Sequence, residues 1–199
     1  MENRINEINE VVYEKSKSVM FNSYNRIGTE VLSNLHICKL EYDGKVFNSS
    51  EQLFYWLRLS GYAEYQEELL RCKTPKEVKK KGTSFIKKLG IVDDIKRDVQ
   101  MLRLAIQVKY NCCEEFKKLI DKHPDKHFVE YAWWGDTTYG CIDENADLKY
   151  NWKEGFVRGR NVCGRIISGV SKQVKDAYGK VAITLPDCLK SVRPQLLFR

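Results

Sequence analysis

The sequence predicts a mainly α-helical fold of the α+β kind with a few short strands, and three observations point to it. Apolar residues recur at helical spacing in several segments that open on capping residues. Strand-like alternation is confined to short stretches around residues 36–47 and 127–133. The 199 residues, 43% of them hydrophobic and 12% aromatic, are enough for one domain with its own core.

Taken in order, residues 1–18 place Ile5, Ile8, Val11 and Val12 at helical spacing and read as an amphipathic lead-in helix. Asn25, Gly28, Ser33 and Asn34 then break the pattern. HICKLEYDGKVF follows as a hairpin turning at Asp43-Gly44. In NSSEQLFYWLRLSGYAEYQEELLRC, Ser49 caps a helix and Gln52 completes a capping box, which puts Glu51 in the first turn. Further helices are predicted over 75–81, with Thr74 as cap and Pro75 at the first position, over 92–110 and over 113–121. In the second of these, Ile95, Val99, Leu102 and Ile106 form the buried stripe. Phe128, Val129, Tyr131 and Trp133 alternate as a short strand that ends in the turn-prone WGDTTYGC. GFVRGRNVCGRIISGV reads as a glycine-bearing turn leading into a helix. Residues 171–199 are a basic C-terminal extension, packed on or trailing the domain, with six basic and two acidic residues.

Thirty-four Lys plus Arg against 27 Asp plus Glu leave a net charge of +7, which favours anionic partners such as phosphate-bearing small molecules, nucleic acid or an acidic surface. The seven cysteines are odd in number and contain no CxxC pair, so they are expected to be reduced, mostly buried thiols with no zinc site. The charged N-terminus and the lack of a long apolar run predict a cytoplasmic protein without a membrane partner.

Two acids stand at junctions beside aromatic residues. Glu51 shares a helix face with Phe54, Tyr55 and Arg58 at i, i+3, i+4 and i+7. Asp136 lies among Trp134, Tyr139 and the glycines 135 and 140. A first-turn Glu also fits a purely structural part at the positive end of a helix dipole, and a turn Asp also fits bonding to its own backbone. In GRNVCGRIISG, the N–H groups around Gly159–Gly164 could hold phosphate, although the segment lacks the lysine and spacing of a P-loop and a glycine-bearing helix start also fits a plain turn.

The ordered stretches FNSYNRIGTEVLSNLHICKLEYDGKVFNSSEQLFYWLRL, MLRLAIQVKY, WGDTTYGC and GRNVCGRII resemble the NADAR family of YbiA-like N-glycosidases. The shared features are Phe21, Leu32-Ser33-Asn34, Tyr42-Asp43-Gly44, Ser49 with Glu51 and Gln52, Lys109 before an aromatic, Asp136 with Gly140, and Gly159-x-Asn161-x-x-Gly164. The resemblance implies a single compact YbiA-like domain over residues 19–170. It also implies a pocket for an ADP-ribosyl or ribosyl-phosphate group, and cleavage of an N-glycosidic bond without metal or cofactor. Family substrates include ADP-ribosylated guanine, in which case ADP-ribosylated nucleic acid is a partner, and a ribosylamino-pyrimidine of riboflavin synthesis. Glu51 and Asp136 fall on the family's catalytic acids, Trp134 and Tyr139 on its aromatic positions. Arg58, Lys109, Asn34, Gly159, Asn161 and Gly164 complete the substrate-binding set.

N-glycoside cleavage passes through a ribosyl cation-like state, which needs negative charge near the anomeric carbon, a proton for the leaving base and a placed water. The expected roles are Glu51 on the cation and water and Asp136 on the leaving group, or the reverse, with both acids in one pocket. Two positions depart from the family pattern: Arg58 replaces a lysine and Tyr139 a tryptophan. In part of the family that lysine forms an imine with the opened sugar, and a guanidinium cannot. Two other functions therefore remain open: a catalytically degenerate protein that sequesters ADP-ribose or a nucleotide, and a nucleic-acid-associated module, for which the basic extension speaks.

Overall fold

In the computed structural model, residues 9–24, 28–145, 147 and 151–190 are described. The chain packs into two units. One comprises residues up to Asn34 together with Glu114–Val174, and the other Leu35–Cys113 together with the chain from Lys175 on.

The first unit is the strand-bearing one. β1 (Val11–Glu14) pairs antiparallel with β7 (Phe156–Gly159), which pairs antiparallel with β6 (Ile142–Asp143). After a 3-10 turn over Lys15–Lys17, β2 (Ser18–Phe21) runs parallel to β5 (His127–Glu130). These strands correct the predicted lead-in helix: Val11, Val12 and Tyr13 are β-branched or aromatic and favour a pleated neighbour over a helix turn, while Ile5 and Ile8 lie outside the described residues. The parallel pair requires a long crossover, and the whole of residues 22–126 lies between its strands. The described α-helices of this unit are α5 (Glu114–Asp121) and α6 (Val162–Ser171), and α6 packs on both β5 and α5. Its buried ion pair joins Lys15 to Asp143, which also accepts from the Tyr131 hydroxyl, while Lys15 Nζ donates to the Asn151 carbonyl at 2.6 Å.

The second unit opens with the predicted hairpin, β3 (Leu40–Tyr42) and β4 (Lys45–Phe47). Its turn residues Asp43 and Gly44 have φ of 53° and 68°, the double left-handed geometry that Asp-Gly favours. α1 (Ser50–Arg58) follows. The Ser49 hydroxyl accepts from the Gln52 N–H at 3.2 Å, and Gln52 Oε1 reaches back to the Asn48 N–H at 2.7 Å, one residue beyond a standard capping box. The chain turns at Gly61, with φ of 94°, and continues as α2 (Ala63–Leu70). α3 (Pro75–Lys88) starts on the predicted Thr74 cap but runs seven residues past position 81, because Gly82 sits against α1 instead of ending the helix. α4 (Ile95–Cys112) starts on Asp94, which accepts from the N–H groups of Lys96 and Arg97. Of its predicted stripe, Val99, Leu102 and Ile106 are buried and Ile95 is exposed.

Past Lys175 the C-terminal extension runs beside α4, fastened by amide side chains. Asn111 Oδ1 accepts from the Val181 N–H and its Nδ2 donates to the Val181 carbonyl, both at 2.9 Å. Gln107 accepts from the Thr184 N–H, and Gln100 from the Asp187 N–H, which opens the short α7 (Asp187–Lys190). All seven cysteines are free thiols. Among the described residues no helix is long and apolar enough to cross a membrane.

Candidate functional site

Glu51, Arg58 and Lys109 belong to the second unit. Asn34, Trp134, Asp136, Tyr139, Gly159, Asn161 and Gly164 belong to the first. Glu51 and Asp136 thus fall in different units.

The α1 cap places Glu51 on the face it shares with Phe54 and Tyr55, whose rings meet edge to face at 5.5 Å. Its carboxylate is half-buried and accepts no hydrogen bond among the described residues. Desolvation raises its pKa, with Lys79 of α3 pulling weakly the other way. Tyr55 is fixed beside it by a 2.9 Å hydrogen bond between its hydroxyl and that of Thr83. A Cβ at Gly82 would overlap the Tyr55 ring, so glycine is what lets α3 close on α1 here. Burial first, and the Glu51 charge second, push the Tyr55 hydroxyl up.

Arg58 turns to other partners on the same helix. Its Nη2 donates to Asp93 at 2.6 Å, its Nε lies 3.2 Å from the buried Asp98, and its guanidinium caps the Phe54 ring at 5.7 Å. Burial holds Asp98 above the usual carboxylate range in spite of Arg58 and Arg97. A phosphate would have to displace two carboxylates to use this cation, so the expected phosphate role of Arg58 has two acids in its place. Lys109 is fully buried in α4, where its charge acts on the Cys38 thiol, a thiol raised chiefly by its hydrogen bond with Cys113.

Asp136 sits in the loop after β5. One oxygen, Oδ1, accepts from the backbone N–H groups of Thr138 at 2.9 Å and Tyr139 at 3.0 Å, the self-bonding turn that its residue type allows. Oδ2 accepts no hydrogen bond among the described residues. Beside it Trp133 and Trp134 are exposed and form an edge-to-face cluster with Tyr24: Trp134 lies 5.6 Å and Trp133 6.4 Å from the Tyr24 ring, and 5.9 Å from each other.

The glycine segment is corrected in function. The N–H groups of Arg160, Asn161, Val162 and Cys163 donate to the carbonyls of Thr137, Gly140, Thr138 and Tyr139, so they hold the Asp136 loop and have no proton left for a phosphate. Asn161 adopts φ of 50° and ψ of 45°. Its side chain donates to the Phe128 carbonyl at 2.8 Å and accepts from the Glu130 N–H at 3.1 Å, which ties α6 to β5. A Cβ at Gly164 would strike the Phe128 carbonyl, and one at Gly159 the Gly140 carbonyl. Asn34 donates weakly to Cys163 Sγ at 3.5 Å. These residues shape the loop that carries Asp136.

The sequence places Tyr55 beside Glu51 but gives no sign of its partner Thr83, of the Lys79 that acts on Glu51, of the acids Asp93 and Asp98 around Arg58, or of Tyr24 beside the tryptophans. Trp133, next to Trp134 in the chain, carried a local signal as a site residue. The others meet through folding across gaps of 28 to 110 positions.

No family model matches the chain, and no curated protein does. The fold is the YbiA-like α+β class. The NMR structure of the E. coli protein YbiA matches it with a TM-score of 0.56 and 20% sequence identity, over 78% of this chain and 84% of that one.

Proposed function

We propose that the protein belongs to the NADAR family and cleaves the N-glycosidic bond of an ADP-ribosyl or ribosyl-phosphate compound, such as ADP-ribosylated guanine or a ribosylamino-pyrimidine phosphate. The observation that carries this reading is the state of Glu51: a carboxylate with no hydrogen-bond partner among the described residues, desolvated and raised in pKa, beside the Phe54 and Tyr55 rings. A carboxyl that keeps its proton to higher pH suits delivery of that proton to a departing base, the step that makes cleavage of a ribosyl–base bond feasible near neutrality. The YbiA-like fold and the ordered motifs from Phe21 to Gly164 support the family reading. Asp136 keeps its Oδ1 for the turn, which leaves Oδ2 as the atom with which it would contribute negative charge.

Incubation with NAD, ADP-ribosylated guanosine and ribosylamino-pyrimidine phosphates, followed by chromatography for the freed base, tests the reading. Wild type is expected to release base from at least one compound and Glu51→Gln from none. Release by both at equal rates would remove Glu51 from the chemistry.

A second reading, a binding protein that sequesters ADP-ribose or a nucleotide, is favoured by Arg58. It stands where a lysine would be needed for imine formation and is held by Asp93 and Asp98. Saturable ADP-ribose binding with no base released from any of the compounds would select it.

A further inference from the structure

The first unit contains a groove of about 480 Å³, separate from the Asp136 loop, in the size range of small-molecule sites. Its apolar lining includes Val11, Val12 and Phe128. Tyr13 and His127, whose rings meet edge to face at 5.5 Å, are among its lining residues. Arg165 and Ser168 of α6 and its C-cap Lys172, spaced at i, i+3 and i+7, also line it. Lys17 adds a third permanent cation at the rim, and Glu14 is the one acid among the lining residues.

The cations differ in readiness. Arg165 is held in place: its Nε donates to the Tyr13 hydroxyl at 3.2 Å and its Nη2 to the Asn9 carbonyl at 3.1 Å, so of its five N–H donors three are uncommitted and already oriented. Lys172 is exposed at the end of α6. Lys17 pairs with Glu14 at 2.6 Å on the surface, and the pair holds the Glu14 carboxyl below its usual range. Such an exposed contact is worth little and gives way readily to a stronger anion.

We infer that this groove is a ligand site in its own right, taking a phosphate monoester carried on a planar ring, of mononucleotide size. A fixed guanidinium matched to phosphate oxygens and flanked by two lysines supplies the anion end. The exposed His127 ring, packed edge to face against buried Tyr13, and the side chains of Val11 and Val12 supply the flat apolar end. The inference stands apart from the proposed hydrolysis, since of the lining residues only Asn161 belongs to the substrate-binding set that the family resemblance implies, and neither Glu51 nor Asp136 lines the groove.

Titration of the full chain with AMP, inorganic phosphate and adenosine, followed by amide NMR shifts, tests it. AMP is expected to give saturable shifts at His127, Ser168 and Lys172, with phosphate weaker at the same amides and adenosine weakest. Lys172→Glu, at an exposed position, should weaken AMP at least tenfold, and Arg165→Gln by as much or more. If Arg165→Gln fails to fold, Lys172→Glu decides alone. The inference is overturned if AMP gives no saturable shift at these amides, if its shifts centre on Trp134 and Asp136 instead, or if Lys172→Glu leaves its affinity unchanged. Glu51→Gln should bind AMP in the groove as wild type does, and the two groove variants should release base as wild type does, so failure here and failure of the proposed hydrolysis are read separately.

Discussion

The start of α1 and the loop after β5 each display one carboxylate beside aromatic rings, but they treat it differently. At Asp136 the backbone supplies two N–H donors to Oδ1, and four further N–H groups at the start of α6 brace the loop from behind. At Glu51 the acceptors of the cap are Ser49 Oγ and Gln52 Oε1. The acid itself is left half-buried with no hydrogen bond among the described residues, and its pKa rises. A satisfied carboxylate organises structure. An unsatisfied one carries an electrostatic cost, which is why the proposed function puts the chemistry at Glu51.

The sharpest test of this contrast is kinetic. With a compound that wild type cleaves, Glu51→Gln is expected to lower turnover by about 10² to 10⁴-fold, the usual worth of a positioned acid or base, with ligand binding little changed. Asp136→Asn, which retains the Oδ1 acceptor, should lose much less, and Asp136→Ala more than Asp136→Asn. A larger loss for Asp136→Asn than for Glu51→Gln would invert the comparison.

Stability separates the two regions next. Arg58→Ala removes the closest cation from buried Asp98 and should destabilise the chain by about 3 kcal/mol in chemical denaturation, toward the lower end for a broken buried pair because Arg97 remains. Asp136→Ala, in a half-buried turn, should cost about 1 kcal/mol. Comparable losses would mean that the Arg58 network is no more than a surface pair.

Gly82→Ala should cost about 1–3 kcal/mol by forcing the Tyr55 ring aside, and the loosened ring should also lower turnover where Glu51 is active. An alanine variant with wild-type stability would show that the α1–α3 contact yields.

The smallest expected effect is in pH. The folded-state pKa of Glu51 lies above its unfolded value, so proton uptake favours the folded state fully below the ordinary carboxylate pKa, and that contribution is lost as pH climbs through the raised value. Glu51→Gln does not titrate. Its melting temperature relative to wild type should therefore be higher at pH 8 than at pH 4, and a difference that does not vary with pH would mean that Glu51 is not desolvated.

Much of the fold was legible where a short stretch holds its own instructions. Ser49, Thr74 with Pro75, and Asp94 open helices through side chains that reach backbone within three residues, and Asp43-Gly44 selects its turn by backbone preference alone. The strands β1, β6 and β7 were not legible, being two to four residues long and defined by partners up to 148 positions away. Arg160 to Cys163 misled for a related reason: a glycine-bearing helix start looks alike whether its N–H groups face a ligand or, as here, four carbonyls of a preceding loop. Positions in the candidate site could be named from motif order, whereas the state of each side chain depends on burial and neighbours that no local pattern encodes.

The amide fastening along α4 has one further consequence, for how the chain tolerates change. Asn111 grips Val181 through main-chain atoms only, and Gln107 and Gln100 grip the N–H groups of Thr184 and Asp187, so rungs recur every third residue of the strap. Between the rungs, Ala182, Ile183 and Leu185 can drift in identity with modest penalty. The spacing cannot, since a single inserted or deleted residue between Val181 and Asp187 puts at least one amide out of phase. This part of the molecule should accept substitutions and reject indels.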